Sequence, residues 1–255
     1  MSNRFYGEDG KPQYQAGLKE ARKEGFLISH TSVLDVIYNY GLEKWKQDQF
    51  ILIAKDNLML PNETDKDYIK RIRDISYDKK KDAPDYGKVI HNLIERYLKN
   101  ECIQMVEYDM KIQTTMPEVW TWIDENIEKP ILIEPQLTNL EYGFAGKPDL
   151  LCELKTGEIA LIDWKTAKTT KNWKVTGWPS WCWQIAAQER LVYSSADIEL
   201  AHILGEQGVG RYMNIAISNT EPGRVDVVEW SQEDIDKGWE IFESALKIWQ
   251  IKNRF

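Results

Sequence analysis

The amino-acid sequence predicts an α+β fold with a mixed sheet, because helical and strand-like patterns occupy different parts of the chain. Before residue 128 the apolar residues recur mostly at helical spacing. After Pro130, short apolar and alternating runs separated by turn residues take over, which is typical of strands. One helical pattern interrupts these strands and another ends the chain, so helices and strands are expected to share one mixed architecture.

The first half of the chain is expected to be helical after a polar, glycine-containing arm over residues 1–30. Two short helices are predicted over 32–57 and another over 65–76. Pro84 opens a stronger pattern, DYGKVIHNLIERYLKN, in which apolar residues recur every three or four positions. A further helix is predicted over 117–128, with a proline in its first turn.

The second half combines strands with two helices. A helix is predicted over 183–193, after a connector rich in lysine and tryptophan. Ser231, followed by two acidic residues at 233 and 234, predicts the start of an amphipathic C-terminal helix. The strand-like segments, in chain order, are ILIEPQL, FAGKPDLLCEL, GEIALIDWK, ELAHILGE, GRYMNIAIS and VDVVEW.

Length and composition are those of an ordinary globular protein. The chain has 255 residues, of which 42% are hydrophobic and 29% charged. We expect an N-terminal arm and helical region over 1–83 and a core over 84–255, together forming one compact unit. No run approaches the ~20 apolar residues of a membrane span, and the N-terminus lacks the apolar segment of a signal peptide. The sequence therefore predicts a cytoplasmic protein with no membrane partner.

Charge and cysteine content narrow the chemistry. The formal net charge of −8 weighs against a general nucleic-acid coating protein but allows an enzyme with a local basic channel. The three cysteines, Cys102, Cys152 and Cys182, lie far apart and form no C-x-x-C pair. This spacing argues against a structural zinc site and against a cysteine-held cluster.

The segment GKPDLLCELKTGEIALIDWKT predicts a β-hairpin with two acidic residues at its open end. The turn signal over 155–157 lies between two strand-like runs. A turn centred on the threonine of that signal places Asp149 opposite Asp163, with Cβ atoms ~4.5–5.5 Å apart. Like charges in that position repel each other unless a cation lies between them. The hairpin therefore predicts a cation-binding pair of carboxylates.

The groups beside this pair suit Mg²⁺ or Mn²⁺. Lys165 shares the face of Asp163, and the carbonyl of Trp164 is available as an oxygen ligand. Hard divalent ions take carboxylate, carbonyl and water oxygens, and they activate water and polarise phosphoryl groups. A lysine near the ion can orient an attacking water. The alternative is a Lys–Asp surface pair on an edge hairpin.

Two more residues extend the candidate site. Glu134 ends the preceding strand-like run and can add a carboxylate directly or through water, with a simple strand-end charge as the alternative. His91 lies on the helix that follows Pro84, with Gly87 four residues before it and Glu95 four residues after it, so the three share a face. Imidazole is a common metal ligand, and a buried core histidine is the alternative.

Together these motifs resemble the PD-(D/E)XK nuclease superfamily, in particular its RecB-like branch of phage- and mitochondrial-type exonucleases. That branch carries G-x-x-x-H-x-x-x-E on a helix, then G-x-x-D, then D-x-K-T at a strand end, and Q-x-x-x-Y on a later helix. The residues that match these motifs here are Gly87, His91, Glu95, Gly146, Asp149, Asp163, Lys165, Thr166 and Gln184, whereas Gln188 stands at the tyrosine position.

The resemblance implies a restriction-endonuclease-like core of a helix, three antiparallel strands, a helix and a strand, with an N-terminal helical region and a C-terminal helix. The implied catalytic residues are Asp149, Asp163, Lys165 and Gln184, in which Lys165 positions the attacking water and Gln184 supports the site or the scissile phosphate. The resemblance implies His91, Asp149, Asp163 and the Trp164 carbonyl as metal ligands, with Glu95 in a supporting position. Glu134 is added as a further ligand because it ends the preceding strand.

The resemblance also bears on the cofactor. It implies Mg²⁺ or Mn²⁺ as the catalytic ion. Members of this group that carry an iron–sulfur cluster need four cysteines, and this chain has three. We therefore expect no iron–sulfur cluster.

The connector after the D-x-K-T motif predicts contacts with nucleic acid. No acidic residue occurs from Lys165 to Gln188, which is unusual in a chain of net charge −8. Lysines contact phosphates and aromatic rings stack on unpaired bases. The alternative is a basic surface loop whose tryptophans point inward, and for the tryptophans we favour this inward packing, with one or two exceptions. The predicted nucleic-acid-binding residues are Lys168, Lys171, Lys174 and Trp173.

The sequence thus favours a metal-dependent DNA nuclease, an exonuclease rather than an endonuclease, serving phage-type recombination or replication. Its partner would be DNA, with a homo-oligomer or a recombination partner protein left open, in the cytoplasm of a bacterium or a phage-infected host cell. One alternative is a catalytically silent nucleic-acid-binding or assembly protein with the same fold. Another is a phosphohydrolase acting on small nucleotides, which would not need the basic connector.

Overall fold

The computed structural model describes residues 4–37, 40–81 and 86–255. Contacts between Cα atoms divide the chain into two compact units: residues up to Val36 together with Ile90–Phe255, and Ile37–Val89. The predicted boundary between residues 83 and 84, and the predicted helix start at Pro84, lie outside the described residues. The expectation that the N-terminal region and the core together form one compact unit stays a prediction.

The architecture is a mixture of α-helices and β-strands, as the sequence predicts. In the part of the chain that the structure describes, a short 3₁₀ turn covers Met105–Glu107. The α-helices are α1 (Leu18–Glu24), α2 (His30–Leu34), α3 (Tyr40–Asp56), α4 (Asp65–Lys81), α5 (Tyr86–Leu98), α6 (Met110–Asn126), α7 (Pro179–Tyr193), α8 (Ile198–Gln207) and α9 (Gln232–Asn253).

The strands form two mixed sheets. The strands are β1 (Phe5–Tyr6), β2 (Pro12–Gln13), β3 (Leu27–Ser29), β4 (Ile127–Ile133), β5 (Leu137–Asn139), β6 (Phe144–Gly146), β7 (Leu150–Leu154), β8 (Ile159–Ala167), β9 (Arg211–Ser218) and β10 (Val225–Trp230). The smaller strands pair in the order β2-β1-β3-β6-β5, and the longer ones in the order β10-β9-β8-β7-β4.

The predicted hairpin register is confirmed. In the antiparallel pair of β7 and β8, Leu150 lies opposite Ile162, and the Leu154 amide donates to the Glu158 carbonyl at 2.9 Å across the turn. The same register continued by one residue sets Asp149, just before β7, against Asp163. The predicted turn centre at the threonine of 155–157 is therefore correct.

The longer sheet is antiparallel except where β9 pairs with β8, and this parallel pairing places the polar residue Asn214 beside the hairpin. Strand β9 runs parallel to β8, with Asp163 opposite Asn214, because the chain returns to the same edge through α7 and α8. Helix α7 packs against both β8 and α9. The C-terminal helix begins as predicted: Ser231 and Asp234 form a reciprocal capping box at its N-terminus.

Three segments differ from the sequence predictions. The polar arm contains strands β1 to β3, which are too short to show an alternating pattern. The segment ELAHILGE is part of α8 rather than a strand, since the Asp197 side chain accepts from the Leu200 amide at 3.0 Å and caps a helix. Helix α6 begins at Met110, capped by Asp109, so Pro117 lies inside it rather than in its first turn.

Across the described residues, no helix has the combination of length and apolar character needed to cross a membrane. Buried side chains line strands β7, β8 and β9 and one face each of helices α5, α6, α7 and α9. Asp163 lies among them, with 1% of its surface exposed.

Candidate active site

Three segments that are distant in sequence bring potential metal ligands together. His91 comes from α5, Glu134 from the residue after β4, and Asp149 from the residue before β7. One ligand atom from each of these side chains lies within 4.8 Å of the other two. The Glu134 amide donates to the Asp149 carbonyl at 2.9 Å, which fixes the two backbone segments to each other. The predicted residues His91, Glu134 and Asp149 therefore form one cluster.

Glu134 adopts a backbone conformation that is costly for a residue with a side chain. Its φ of 52° lies in the left-handed region, where non-glycine residues are uncommon. Such strain costs about 1–2 kcal/mol and is frequent at functional sites. The turn directs the end of strand β4 towards Asp149, so the strain accompanies the convergence of the cluster.

Burial shifts the pKa values of Asp149 and His91 in opposite directions. The side chain of Asp149 is 12% exposed, and its Oδ2 atom accepts from the Trp164 amide at 2.8 Å. Burial, together with the neighbouring charge of Asp163, raises the pKa of Asp149 well above its usual range. Burial lowers the pKa of His91, whose Nδ1 atom lies 3.6 Å from Asp149 Oδ2. A neutral imidazole beside buried carboxylates is a donor set that fits a divalent cation.

Glu134 and Glu95 each have a lysine partner. Glu134 forms an ion pair with Lys147 of the G-x-x-D motif, and Glu95 pairs with Lys99 one turn along α5 at 2.6 Å. Burial would lower the pKa of Lys147, but the nearby carboxylates, Glu134 first, raise it above its usual range. Glu95 thus forms its ion pair with a residue one turn further along the chain, and its negative charge also contributes to the raised pKa of Lys147.

Asp163 is held by four N–H donors. Its Oδ1 atom accepts from Gln184 Nε2 at 2.8 Å and from Gln188 Nε2 at 3.1 Å. Its Oδ2 atom accepts from Asn214 Nδ2 at 2.8 Å and pairs with Lys165 Nζ at 2.6 Å. Four donors around one buried carboxylate satisfy both of its oxygens and fix its orientation.

Donor-only neighbours fix the orientations of two of these amides. Lys165 donates to Gln184 Oε1 at 2.9 Å, so Gln184 must turn its NH₂ group towards Asp163. The Trp230 indole donates to Asn214 Oδ1 at 2.7 Å, so Asn214 must do the same. The predicted residues Asp163, Lys165 and Gln184 therefore form a single hydrogen-bonded group.

Several predicted roles remain predictions. Asp163 lies outside the cluster of His91, Glu134 and Asp149, because its oxygens face the four donors. The ring of Trp164 is buried and meets Trp122 edge-on at 5.8 Å between centroids, while its amide serves Asp149. Metal ligation by Asp163 and by the Trp164 carbonyl is not tested by these contacts.

Sequence reasoning missed His30, which packs under the G-x-x-D motif. A Cβ atom on Gly146 would lie 2.1 Å from Nδ1 of His30, so only glycine fits at this position. His30 is 4% exposed, and neither of its ring nitrogens has a hydrogen-bond partner within the described chain. Burial lowers the pKa of His30 to about 4. No clear signal in the sequence indicates His30, because the strand before it, β3, has only three residues.

Asn214, Trp230 and Gln188 were also missed as parts of the site. Asn214 interrupts the apolar run of β9, which is again a polar residue where the pattern requires an apolar one. Gln188 occupies the position where the resemblance implies a tyrosine, and it donates to Asp163. No local pattern assigns Trp230, because its role depends on the pairing of β9 with β10.

The predicted nucleic-acid-binding residues lie on an exposed connector between β8 and α7, here defined as residues 168–178. Lys168, Lys171 and Lys174 are exposed, and Trp173 has 75% of its surface exposed. The inward-pointing alternative is therefore wrong for Trp173, whereas Trp164 is buried.

A scan against protein-family models and a search of the curated proteins each find no match for this chain.

Proposed function

We propose that this chain is a metal-dependent DNA nuclease of the PD-(D/E)XK type, acting as an exonuclease in phage-type recombination or replication. The observation that carries the proposal is the pairing of Lys165 with Asp163 on β8, across the hairpin from Asp149. Asp149 in turn lies beside His91 and Glu134. A lysine, buried carboxylates and an imidazole in this arrangement are suited to hydrolysis of a phosphodiester.

The order of elements supports the same proposal. Helix α5 is followed, after α6, by the antiparallel strands β4, β7 and β8 of the longer sheet, with β5 and β6 of the other sheet inserted between β4 and β7; α7 comes next and then, after α8, β9 alongside β8. This is the order that the resemblance implies for a restriction-endonuclease-like core. The chemistry-bearing residues lie at the open end of the β7–β8 hairpin, directly after β4, and on helices α5 and α7.

A cation at the cluster would be Mg²⁺ or Mn²⁺, held by His91, Glu134 and Asp149, and it would polarise the phosphodiester and acidify an attacking water. Lys165 uses two of its three N–H groups on Asp163 and Gln184 within the described chain. The third can be donated to the attacking water or to a phosphate oxygen. The contact with Asp163 holds the ammonium group of Lys165 in place.

The test is cleavage of DNA by the purified protein. End-labelled linear, closed circular and single-stranded DNA are incubated with Mg²⁺, Mn²⁺ or EDTA. We expect degradation of DNA with free ends, loss of activity in EDTA and in Lys165→Ala, and normal activity in the exposed control Lys247→Ala. A wild type that cuts nothing with either ion, or a Lys165→Ala variant that cuts equally well, contradicts the proposal. Persistence of the closed circles would favour an exonuclease.

One observation favours a second candidate, a catalytically silent DNA-binding or assembly protein. Gln188 stands where the resemblance implies a tyrosine, and all four donors around Asp163 come from the protein itself. This candidate predicts DNA binding without cleavage under any metal condition. The same assay, accompanied by a binding measurement, separates the two.

A further inference from the structure

We propose that the connector, residues 168–178, holds an unpaired DNA strand next to the catalytic lysine by base stacking on Trp173 and phosphate contacts from its lysines. The proposal deepens the proposed function, because it names a single-stranded end or overhang as the part of the substrate that is bound. Its test does not require cleavage.

Position along the chain brings the connector close to the site. Strand β8 carries both Asp163 and Lys165 and ends at Ala167, so Lys168 is three residues beyond Lys165. At ~3.3 Å per residue, three residues of extended chain span about 10 Å. A DNA strand with one phosphate at Lys165 therefore comes within reach of Lys168 and of the rest of the connector.

The connector is held in one conformation by the β9–β10 hairpin. Arg224 donates to the carbonyl of Thr170 at 3.1 Å and to the carbonyl of Trp173. The Val175 amide donates to Asp226 Oδ2 at 3.0 Å. These bonds fix the backbone on both sides of Trp173, so its ring is presented by a held loop.

The indoles of the connector are far more exposed than those of the protein core. Trp173 is 75% exposed and Trp178 is 62% exposed, whereas Trp164 and Trp249 are each 2% exposed. Indole rings gain free energy by leaving water, so a fixed and exposed indole is typical of a binding surface. We therefore expect the ring of Trp173 to stack on a ligand that is not part of this chain.

The local charge points to a polyanion as that ligand. Lys168, Lys171 and Lys174 are exposed on the connector. Two acidic residues near the connector already form ion pairs with Arg224: Glu221 at 2.7 Å and Asp226 at 2.8 Å. Exposed lysines around an exposed tryptophan match the phosphates and bases of a nucleic-acid strand.

The exposed ring selects an unpaired strand over a duplex. In a duplex the bases stack on one another, and a single indole on a surface loop reaches a base face only where the strand is unpaired or frayed. Stacking of this kind is tolerant of sequence because every base has a π-face. The connector should therefore discriminate by strandedness and not by base sequence.

The experiment measures binding in EDTA by fluorescence anisotropy, with a labelled 20-nucleotide thymidine oligomer and a blunt duplex as probes. We expect Trp173→Ala to weaken binding of the single strand by about 5- to 100-fold and to change duplex binding little. Trp173→Phe should retain most of the affinity because the ring persists. Tyr14→Ala, which removes another exposed ring (82%), is the matched control and should bind as the wild type does.

The lysines give a second readout. Each of Lys171→Ala and Lys174→Ala should reduce the slope of log K against log salt concentration by about 0.7 for the single strand. Equal binding of the single strand by the wild type and Trp173→Ala overturns the proposal. An equal loss for single strand and duplex also overturns it, because the connector would then be a general phosphate-binding surface.

The outcomes separate this proposal from the nuclease proposal. Binding as expected with no cleavage in Mg²⁺ or Mn²⁺ contradicts the nuclease and leaves the strand-binding connector intact. Cleavage that depends on Lys165, combined with single-strand binding that is unchanged in Trp173→Ala, supports the nuclease and contradicts the strand-binding connector. Thermal unfolding of each variant verifies that the loop substitutions leave the fold unchanged.

Discussion

The indole of Trp230 donates a hydrogen bond to Asn214 Oδ1 at 2.7 Å, and Asn214 Nδ2 donates in turn to Asp163 Oδ2 at 2.8 Å. Asn214 has no exposed surface, so its amide cannot exchange these partners for water. Trp230 therefore determines which end of the amide faces the carboxylate, although it does not touch the carboxylate itself.

Asn214→Asp should destabilise the fold strongly in the absence of metal. The change replaces a buried N–H donor with a second carboxylate 2.8 Å from Asp163, at a cost of roughly 3 kcal/mol or more. Trp230→Phe leaves Asn214 Oδ1 without its donor and should cost about 1–3 kcal/mol. Urea unfolding at neutral pH in EDTA measures both. The exposed control Asn62→Asp should stay within about 0.5 kcal/mol of the wild type, and a similar result for Asn214→Asp would contradict the donor arrangement.

Gln184→Leu should lower kcat about 10- to 100-fold with little change in KM, if the chain is the proposed nuclease. The reason is that Gln184 holds Lys165 in place, and a small misplacement of a catalytic group is costly. Steady-state cleavage of linear DNA provides both constants, with the exposed Gln207→Leu as the control. A raised KM at normal kcat would show instead that Gln184 contacts the substrate.

Mn²⁺ should stabilise the protein against heat through the cluster of His91, Glu134 and Asp149. At an ion concentration 100-fold above Kd, the expected gain is about 2.7 kcal/mol, or ~5–10 °C in Tm for a chain of this size. Glu134→Gln and Asp149→Asn should abolish most of this shift, since each removes a negatively charged ligand. The control Glu243→Gln, on the exposed face of α9, should keep it. A wild type without any shift would argue against the metal site.

The buried ring of His30 should make the fold sensitive to acid. Burial lowers the pKa of His30 from 6.5 to about 4, so the folded protein keeps the ring neutral where the unfolded chain would protonate it. This contribution is fully present above about pH 6.5 and is lost as the pH falls towards 4, by about 3 kcal/mol. His30→Leu should remove that part of the slope of unfolding free energy against pH in EDTA. His202→Leu, at an exposed histidine, should leave the slope unchanged, and equal slopes for all three proteins would contradict the prediction.

The hairpin and its carboxylates could be predicted from the sequence because a short turn fixes their register. Asp149 and Asp163 are connected by a single tight turn, so counting from its centre is sufficient. The hairpin is thus the part of the site in which position along the chain determines position in space. Gln184, by contrast, is expected only from the resemblance, which implies a glutamine on a helix after the D-x-K-T motif.

The remaining parts depend on pairings that local patterns do not specify. Asn214 reaches Asp163 only because β9 joins β8 in parallel after two intervening helices, and no local signal fixes the register of such a crossover. His30 follows a strand of three residues, which is too short to show alternation. The segment of α8 was mistaken for a strand because a short apolar run, with Leu200 and Leu204 buried, fits both patterns.

The dispersal of the site along the chain has a consequence for biosynthesis. Asp163 obtains one donor from Asn214, which is itself oriented by Trp230, and the ring of His30 comes from the start of the sequence. Contacts between residues so far apart form late in folding, because the intervening chain must first be closed into loops. The chain must therefore have been synthesised at least as far as Trp230 before Asp163 has all of its donors and Asn214 is oriented.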